Sequence, residues 1–453
     1  MSGAERDAVA KALARARAAG ADAADAVLAA GDSLETRVRG AEIDFVVQAR
    51  QRTLGLRALV RGTRGMRSAI TSTSDLSPEA IDRMADETVA LARATAEDPA
   101  AGLPDGGFAE TAPEDLGLGA AEDRSVSIEA RIDDARAAEA AARARDPRIV
   151  NSEGSQAASD FRRVVYGNSL GFLGSYESAT HSLTCEPLAR ENGSMQRDSW
   201  FSVARRLAAL EQPAAVGRRA AERALRRLGA RSVPTCEVPV LFDPITAASL
   251  LGQLAGCASG YAVYRKTSFL AGRLGEEIAS PLLSAIDDGR RPGGLGTRPF
   301  DGEGLPTRRN VLLLRGRLTS WLLDSYSARK LGLASTGNAA RSAGSAPSVG
   351  ATNLWIEPGA RTQDEIIADT RRGLLVTELI GMGFNPVTGD YSRGAAGLWI
   401  ENGEIVHPVE EVTIAGNFGQ MLRDVDAVGT DLLWLGRIAS PTLRVARMTV
   451  AGR

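Results

Sequence analysis

Between Ile149 and Arg205 polar and apolar residues alternate, and the alternation breaks only at turn signals such as Gly167-Asn168 and Glu191-Asn192-Gly193. A side-chain period of two is the strand period, and tight turns between such runs join antiparallel neighbours. This segment therefore reads as an antiparallel meander, which the rest of the fold must accommodate. The flanking text has another rhythm. Ile128 to Arg145 is rich in Ala, Arg and Glu and stops at Asp146-Pro147, and a basic segment from Pro213 to Leu228 ends at Gly229. Both read as helices.

The same alternation of helix and strand signals extends upstream. Ala4 to Ala19 has a helical composition closed by Gly20, and short apolar runs between Ala24 and Thr73 are punctuated by glycines. Ser77 caps a further helix with Pro78 in its first turn, where Ile81, Met84, Thr88 and Leu91 are expected to face a core. From Thr235 the strand-like Val238-Pro-Val-Leu-Phe242 leads into the cap Asp243-Pro244 and a helix to about Cys257. Beyond Ser268 short strands and glycine turns predominate, ending in a strand from Leu443 to Val450. The fold class is α+β. We expect an N-terminal α/β domain over 1–97, a linker over 98–121, and a central domain of antiparallel strands and helices over 122–230. A large β-rich C-terminal domain follows over 235–453.

Charge decides against several partners. Lys and Arg total 54 and Asp and Glu total 56, so no global field favours a phosphate backbone. The densest basic cluster, Arg218, Arg219, Arg223, Arg226 and Arg227, reads as a solvated helix face. Nucleic acid and membrane are not expected partners, because no apolar run has the length of a spanning helix. Three scattered cysteines without a C-x-x-C pair, and no secretory signal, point to a reducing, cytoplasmic setting.

Catalytic signals are sparse. His181 and His407 are the two histidines, and neither has a second ligand at helical spacing. Gly167-Asn-Ser169-Leu-Gly171 has the spacing of a serine-hydrolase elbow, but strand-like text on both sides makes it a hairpin turn. Cys257 closes an apolar helix and reads as core; Asp287-Asp288 and Glu410-Glu411 read as solvated pairs.

Longer blocks carry a resemblance. Ser268-Phe-Leu-Ala-Gly-Arg-Leu-Gly-Glu276, Tyr326-Ser-Ala-Arg-Lys-Leu-Gly332 with Thr336-Gly-Asn338, and Thr352-Asn-Leu-Trp-Ile-Glu-Pro-Gly359 resemble the TldD/PmbA family, also called the modulator-of-gyrase proteins. Gly381 to Gly394 and Gly397 to Gly403 are similar to its PmbA (TldE) branch. The TldD branch carries H-E-x-x-x-H on the helix before the S-F-x-A-G block, with a cysteine near the C-terminus as a further ligand. The corresponding positions here are Gly252, Gln253 and Cys257, and Asp431 to Pro441 contains no cysteine. The resemblance implies a chain without catalytic or metal-binding residues of its own, and without a cofactor. Zinc is expected on a TldD-like partner that hydrolyses unfolded or modified peptides.

The leading expectation is thus the metal-free subunit of a TldD/TldE-type metallopeptidase heterodimer. Arg265, Lys266, Arg329 and Asn353 are the candidate peptide contacts, as polar residues inside the recognisable blocks. A homodimeric peptide-binding scaffold or regulator that cuts nothing is the alternative. An independent hydrolase using Cys257 or Ser169 is the third reading.

Overall fold

The computed structural model describes residues 3–110 and 115–452. In its first half α1 (Gly3–Ala18), β1 (Ala23–Arg39), β2 (Glu42–Arg61), β3 (Met66–Thr73) and α2 (Pro78–Ala94) are followed by α3 (Ile128–Arg145), β4 (Ile149–Asn168), β5 (Leu173–Glu191), β6 (Ser194–Arg197), β7 (Trp200–Ala204) and α4 (Pro213–Leu225). These strands make one antiparallel sheet in the order β3-β2-β1-β4-β5-β6, with β7 also paired to β5. The N-terminal and central segments therefore share a sheet, joined where β1 pairs β4 along Asp25↔Asn168 to Val38↔Ser155. The strands are also longer than the short runs expected: β1 has 17 residues and β2 has 20.

Alternation along β1 explains the layering. Ala24, Ala26, Leu28 and Ala30 point into a core with Val9 and Leu13 of α1 and Ile81, Met84 and Val89 of α2. Farther along, Val38 joins a core under α3 and α4. Alanines on the helices let them lie close; a Cβ on Gly217 of α4 would stand 1.9 Å from the Ala138 carbonyl of α3. Leu91 does not belong to the buried stripe of α2: it is half exposed, and Ala92 takes its place beside Ala85 and Thr88. At 100° per residue, position 92 continues the line of 81, 85 and 88.

The second half contains β8 (Cys236–Phe242), α5 (Pro244–Cys257), α6 (Gly260–Tyr264), β9 (Ala285–Asp288), β10 (Arg309–Leu314), β11 (Arg317–Leu318) and α7 (Ser325–Leu331). Next come β12 (Ala339–Ala340), β13 (Ser348–Val349), β14 (Leu354–Ile356), α8 (Gln363–Ala368), β15 (Arg372–Ile380), β16 (Asp390–Glu401) and β17 (Glu404–Asn417). The chain closes with α9 (Phe418–Arg423), β18 (Val425–Val428), β19 (Ile438–Ala439) and β20 (Leu443–Ala451). Strands β17-β16-β15-β8-β20 close on themselves through a β17–β20 pairing, so this β-rich half contains a barrel, with β18 attached to β20. Closure removes free strand edges. Strands β11-β10-β9-β14-β19 form a second sheet, and β12 pairs β13. The fold is the expected α+β arrangement.

Parts of the expected linker over 98–121 are strapped down; 111–114 lie outside the described residues. Arg329 of α7 donates to the carbonyls of Ala100 and Leu103, and Gly293 donates to Leu116 at 2.8 Å. The basic cluster on and just after α4 is not a solvated face throughout. Arg223 pairs with Asp198 at 3.1 Å and Arg227 with Glu378 of β15 at 2.5 Å, while burial drives the Arg226 pKa down to about 10. These arginines tie the helix to its neighbours. Among the described residues no helix is long and apolar enough to cross a membrane.

Candidate functional site

On the face of the large sheet opposite α1 and α2, side chains register in rows across four strands. Thr53, Ala29, Val164 and Tyr176 form one row, Gln51, Gly31, Arg162 and Ser178 the next, and Ala49, Ser33, Asp160 and Thr180 the third. Most are small, so the rows leave space above the sheet. A cavity of about 780 Å³ opens there, roofed by Leu295, Gly296, Thr297, Arg298, Ala351 and Arg437 of the β-rich half. Its size suits a ligand of several residues.

Two buried side chains fix the roof, and the first also ties it to the floor. Arg205 donates to Ala179 O on β5 at 3.0 Å and to the roof carbonyls of Gly294 at 3.2 Å and Leu295 at 2.6 Å. Asn353 accepts from Gly296 N at 2.8 Å and donates to Thr297 Oγ1 at 2.8 Å and Asp288 O at 2.7 Å. Asn353 is wholly buried, so the structure corrects its reading as a peptide contact: its amide is fully used in shaping the roof loop. Asp287 is likewise not solvated. It is buried and accepts from Asn338 at 2.7 Å and from Thr352 N at 2.7 Å.

The other expected contacts lie elsewhere. Arg265 and Lys266 are exposed just after α6, with the Arg265 guanidinium 5.5 Å from the centre of the Tyr264 ring and Nε donating to Tyr264 Oη at 3.0 Å. Arg329 is committed to the linker carbonyls. None of the three lines the cavity. The residues that do line it were not singled out from sequence. Their signal was the run of small side chains on alternate positions of β1 and β5, which reads as ordinary strand until the partner strands are known.

The candidate metal positions lie on α5. Asp243 caps that helix through Thr246 N at 2.9 Å, and Leu250, Leu251 and Leu254 fix its buried face. A Cβ at Gly252 would meet Ile438 Cδ1 at 3.5 Å, and the Gln253 Oε1 atom is buried without a partner. Cys257 is 1 % exposed in the barrel-side core, and burial pushes its thiol up to about 11. Across from α5, Leu433, Leu435, Gly436 and Ile438 line an apolar cavity of about 180 Å³. This donor set does not fit a zinc ion, which takes three protein ligands at a catalytic site. Among the described residues no three His, Cys, Asp or Glu side chains group as a ligand set. His181 packs between Ser159, at 2.8 Å, and Asp123, at 3.3 Å, while His407 Nδ1 sits 3.0 Å from Pro408 O. Ser169 lies in the β4–β5 turn, where its hydroxyl accepts from Ala24 N at 3.0 Å.

Known proteins share this architecture across the whole chain. The PmbA/TldA metallopeptidase domain 1 matches residues 24–92, the central domain 121–228 and the C-terminal domain 235–452. The chain belongs to the PmbA/TldD family. Metalloprotease PmbA of Escherichia coli O157:H7 is 38% identical over 432 residues, covering 95% of this chain and 93% of the relative. A metalloprotease PmbA homolog of Haemophilus influenzae is 35% identical over 451 residues, 99% and 96% of the two chains. The crystal structure of a candidate modulator of DNA gyrase from Bacteroides thetaiotaomicron superposes with a TM-score of 0.91 at 28% identity, covering 100% of both chains. Several family relatives thus carry a metalloprotease name, while this chain sets glycine, glutamine and a buried thiol on the helix in question.

Proposed function

We propose that this PmbA/TldD-family chain is the metal-free subunit of a cytoplasmic peptidase assembly, working with a TldD-like chain that carries zinc. The observation that carries the reading is α5. It carries Gly252, Gln253 and Gly256 where it is not fully buried, with Gly252 facing the apolar Ile438, and its only thiol is turned into the core. Such a helix contributes shape and no histidine, carboxylate or accessible thiolate. The cavity floored by β1, β2, β4 and β5 offers a subunit of that kind a polar, half-open cleft for an extended peptide. Arg437 lines that cavity and the next residue, Ile438, touches α5, so both features flank one segment.

Co-expression with a TldD-like chain tests the reading. A stable heteromer with zinc-dependent peptide cleavage is expected, and no cleavage by this chain alone. Stoichiometric zinc retained by the isolated chain, together with peptide turnover, would overturn it. Assembly into a homodimer that binds peptides without turnover, and ignores the TldD-like chain, would favour the scaffold reading instead.

A further inference from the structure

The charges around the cavity do not balance. Four arginines, Arg162, Arg205, Arg298 and Arg437, line it against two aspartates, Asp32 and Asp160. Their partners sort them. Arg205 is consumed by the roof and floor carbonyls, Arg298 donates to Ala339 O at 2.9 Å, and Asp32 is held by Arg50 at 2.6 Å. Arg162 and Arg437 form no hydrogen bond or ion pair through their guanidinium groups among the described residues. Arg162 stands in the middle row of the floor, and Arg437 comes from the roof side. Both are exposed to the cavity space rather than sealed in protein.

Gly31 shares a row with Arg162. It has an ordinary strand conformation, and a Cβ there would touch only Phe161 O, at 3.6 Å. Room for a side chain exists and is left empty beside an unpaired cation. At the next row stands Asp160, exposed and without a partner among the described residues, its pKa raised by partial desolvation. An anion in the cavity is attracted by Arg162 and Arg437 and repelled by Asp160, one row from Arg162 on the floor.

From this arrangement we infer that the cavity binds peptides through a carboxylate, seated between Arg162 on the floor and Arg437 on the roof. The inference rests on the peptide-route reading above and narrows its substrate class. A guanidinium presents paired N–H donors in a planar fork that matches a carboxylate, and such charge-assisted bonds strengthen where water is partly excluded. The carboxylate is either a free C-terminus or an acidic side chain, the chemistry being the same.

Fluorescence anisotropy with the purified full chain decides. Three labelled peptides of one length are compared: a neutral peptide ending in an amide, the same peptide with a free C-terminus, and the amidated peptide with one internal Gln→Glu change. Tighter binding by tenfold or more is expected for at least one carboxylate peptide over the neutral one; which of the two gains identifies the source. In the Arg162→Gln/Arg437→Gln double variant that ratio falls to about one, with an unchanged melting temperature. Gly31→Leu, which fills the floor beside Arg162 and leaves both charges in place, weakens all three peptides. Equal affinities for neutral and carboxylate peptides, a ratio untouched by the double variant, or no binding at all each overturn the inference. Assembly with a TldD-like chain is scored separately, so the subunit reading stands or falls on its own measurement.

Discussion

Arg341 Nη1 lies 2.7 Å from a carboxylate oxygen of Asp25, with both side chains essentially excluded from water. Asp25 belongs to β1 and Arg341 to the loop after β12, so the contact joins the large sheet to the β-rich half. Arg57 of β2 completes it with bonds of 3.1 and 2.5 Å to the same carboxylate. Burial alone raises an acid's pKa; here the charges of Arg341 and Arg57 outweigh it and hold Asp25 below its ordinary value. Replacing Asp25 by Ala would leave two buried cations facing each other. We expect a loss of roughly 3–5 kcal/mol, read as a lower thermal midpoint and earlier proteolysis between the halves. A midpoint within a degree or two of the parent protein would show that the contact contributes nothing.

Close to the same junction, Glu303 is buried and accepts from Ser325 N at 2.8 Å. Burial first, then the neighbouring Asp301, push its pKa up to about 7, against relief from Arg57; Asp301 rises to about 6, chiefly by burial. An acid with a raised folded-state pKa holds its proton more tightly when folded. Its stabilising contribution is therefore complete below the ordinary values of 4.5 and 3.8 and is lost as pH rises through 6 to 7. Thermal midpoints should fall between pH 5 and pH 8. Glu303→Gln, which keeps an acceptor for Ser325 and cannot ionise, should flatten that fall and be more stable than the parent at pH 8. Parallel pH curves for the two proteins would remove Glu303 as the cause.

Much of this fold was legible because its signals are local. Ser77-Pro78 and Asp243-Pro244 announce helices that the structure starts at Pro78 and Pro244, and the alternation from Ile149 onward becomes β4, β5 and β7. Proline and a short polar cap act within a few residues of themselves, so one sequence suffices to see them. The cavity was not legible for the opposite reason. Gly31, Arg162 and Ser178 share a row only through the pairing of β1 with β4 and β4 with β5. Nothing in the spacing of β1 and β4 along the chain announces that they are neighbours. The failed reading of Asn353 is similar. A polar residue inside a recognisable block looks available until its partners Asp288, Gly296 and Thr297 are assembled around it.

Asn353 now predicts a separation of two effects. Asn353→Ala would leave Gly296 N and Asp288 O unpartnered in the roof, a cost of about 2–3 kcal/mol. The roof loop would loosen over the floor, so peptide affinity should drop for neutral and carboxylate peptides alike. The charge preference, set by Arg162 and Arg437, should persist. Anisotropy with the same three peptides reads both quantities; loss of the preference itself would mean that Asn353 reaches the ligand.

The cysteines give the last test, because it asks whether α5 can offer a reactive donor at all. The thiolate is the species that alkylates or binds a metal, and its fraction at neutral pH falls tenfold for each unit by which the thiol pKa is raised. Burial pushes Cys257 up to about 11 and Cys185 up to about 12, and both are nearly inaccessible; Cys236, at the start of β8, is only partly covered. Native protein at pH 7.5 should therefore label with iodoacetamide at Cys236 alone, with Cys185 and Cys257 reacting after denaturation. Cys257→Ala should leave peptide binding and any partner-dependent cleavage unchanged. Peptide mapping after brief labelling checks the order, and prompt modification of Cys257 in the folded chain would return that thiol to the list of working groups.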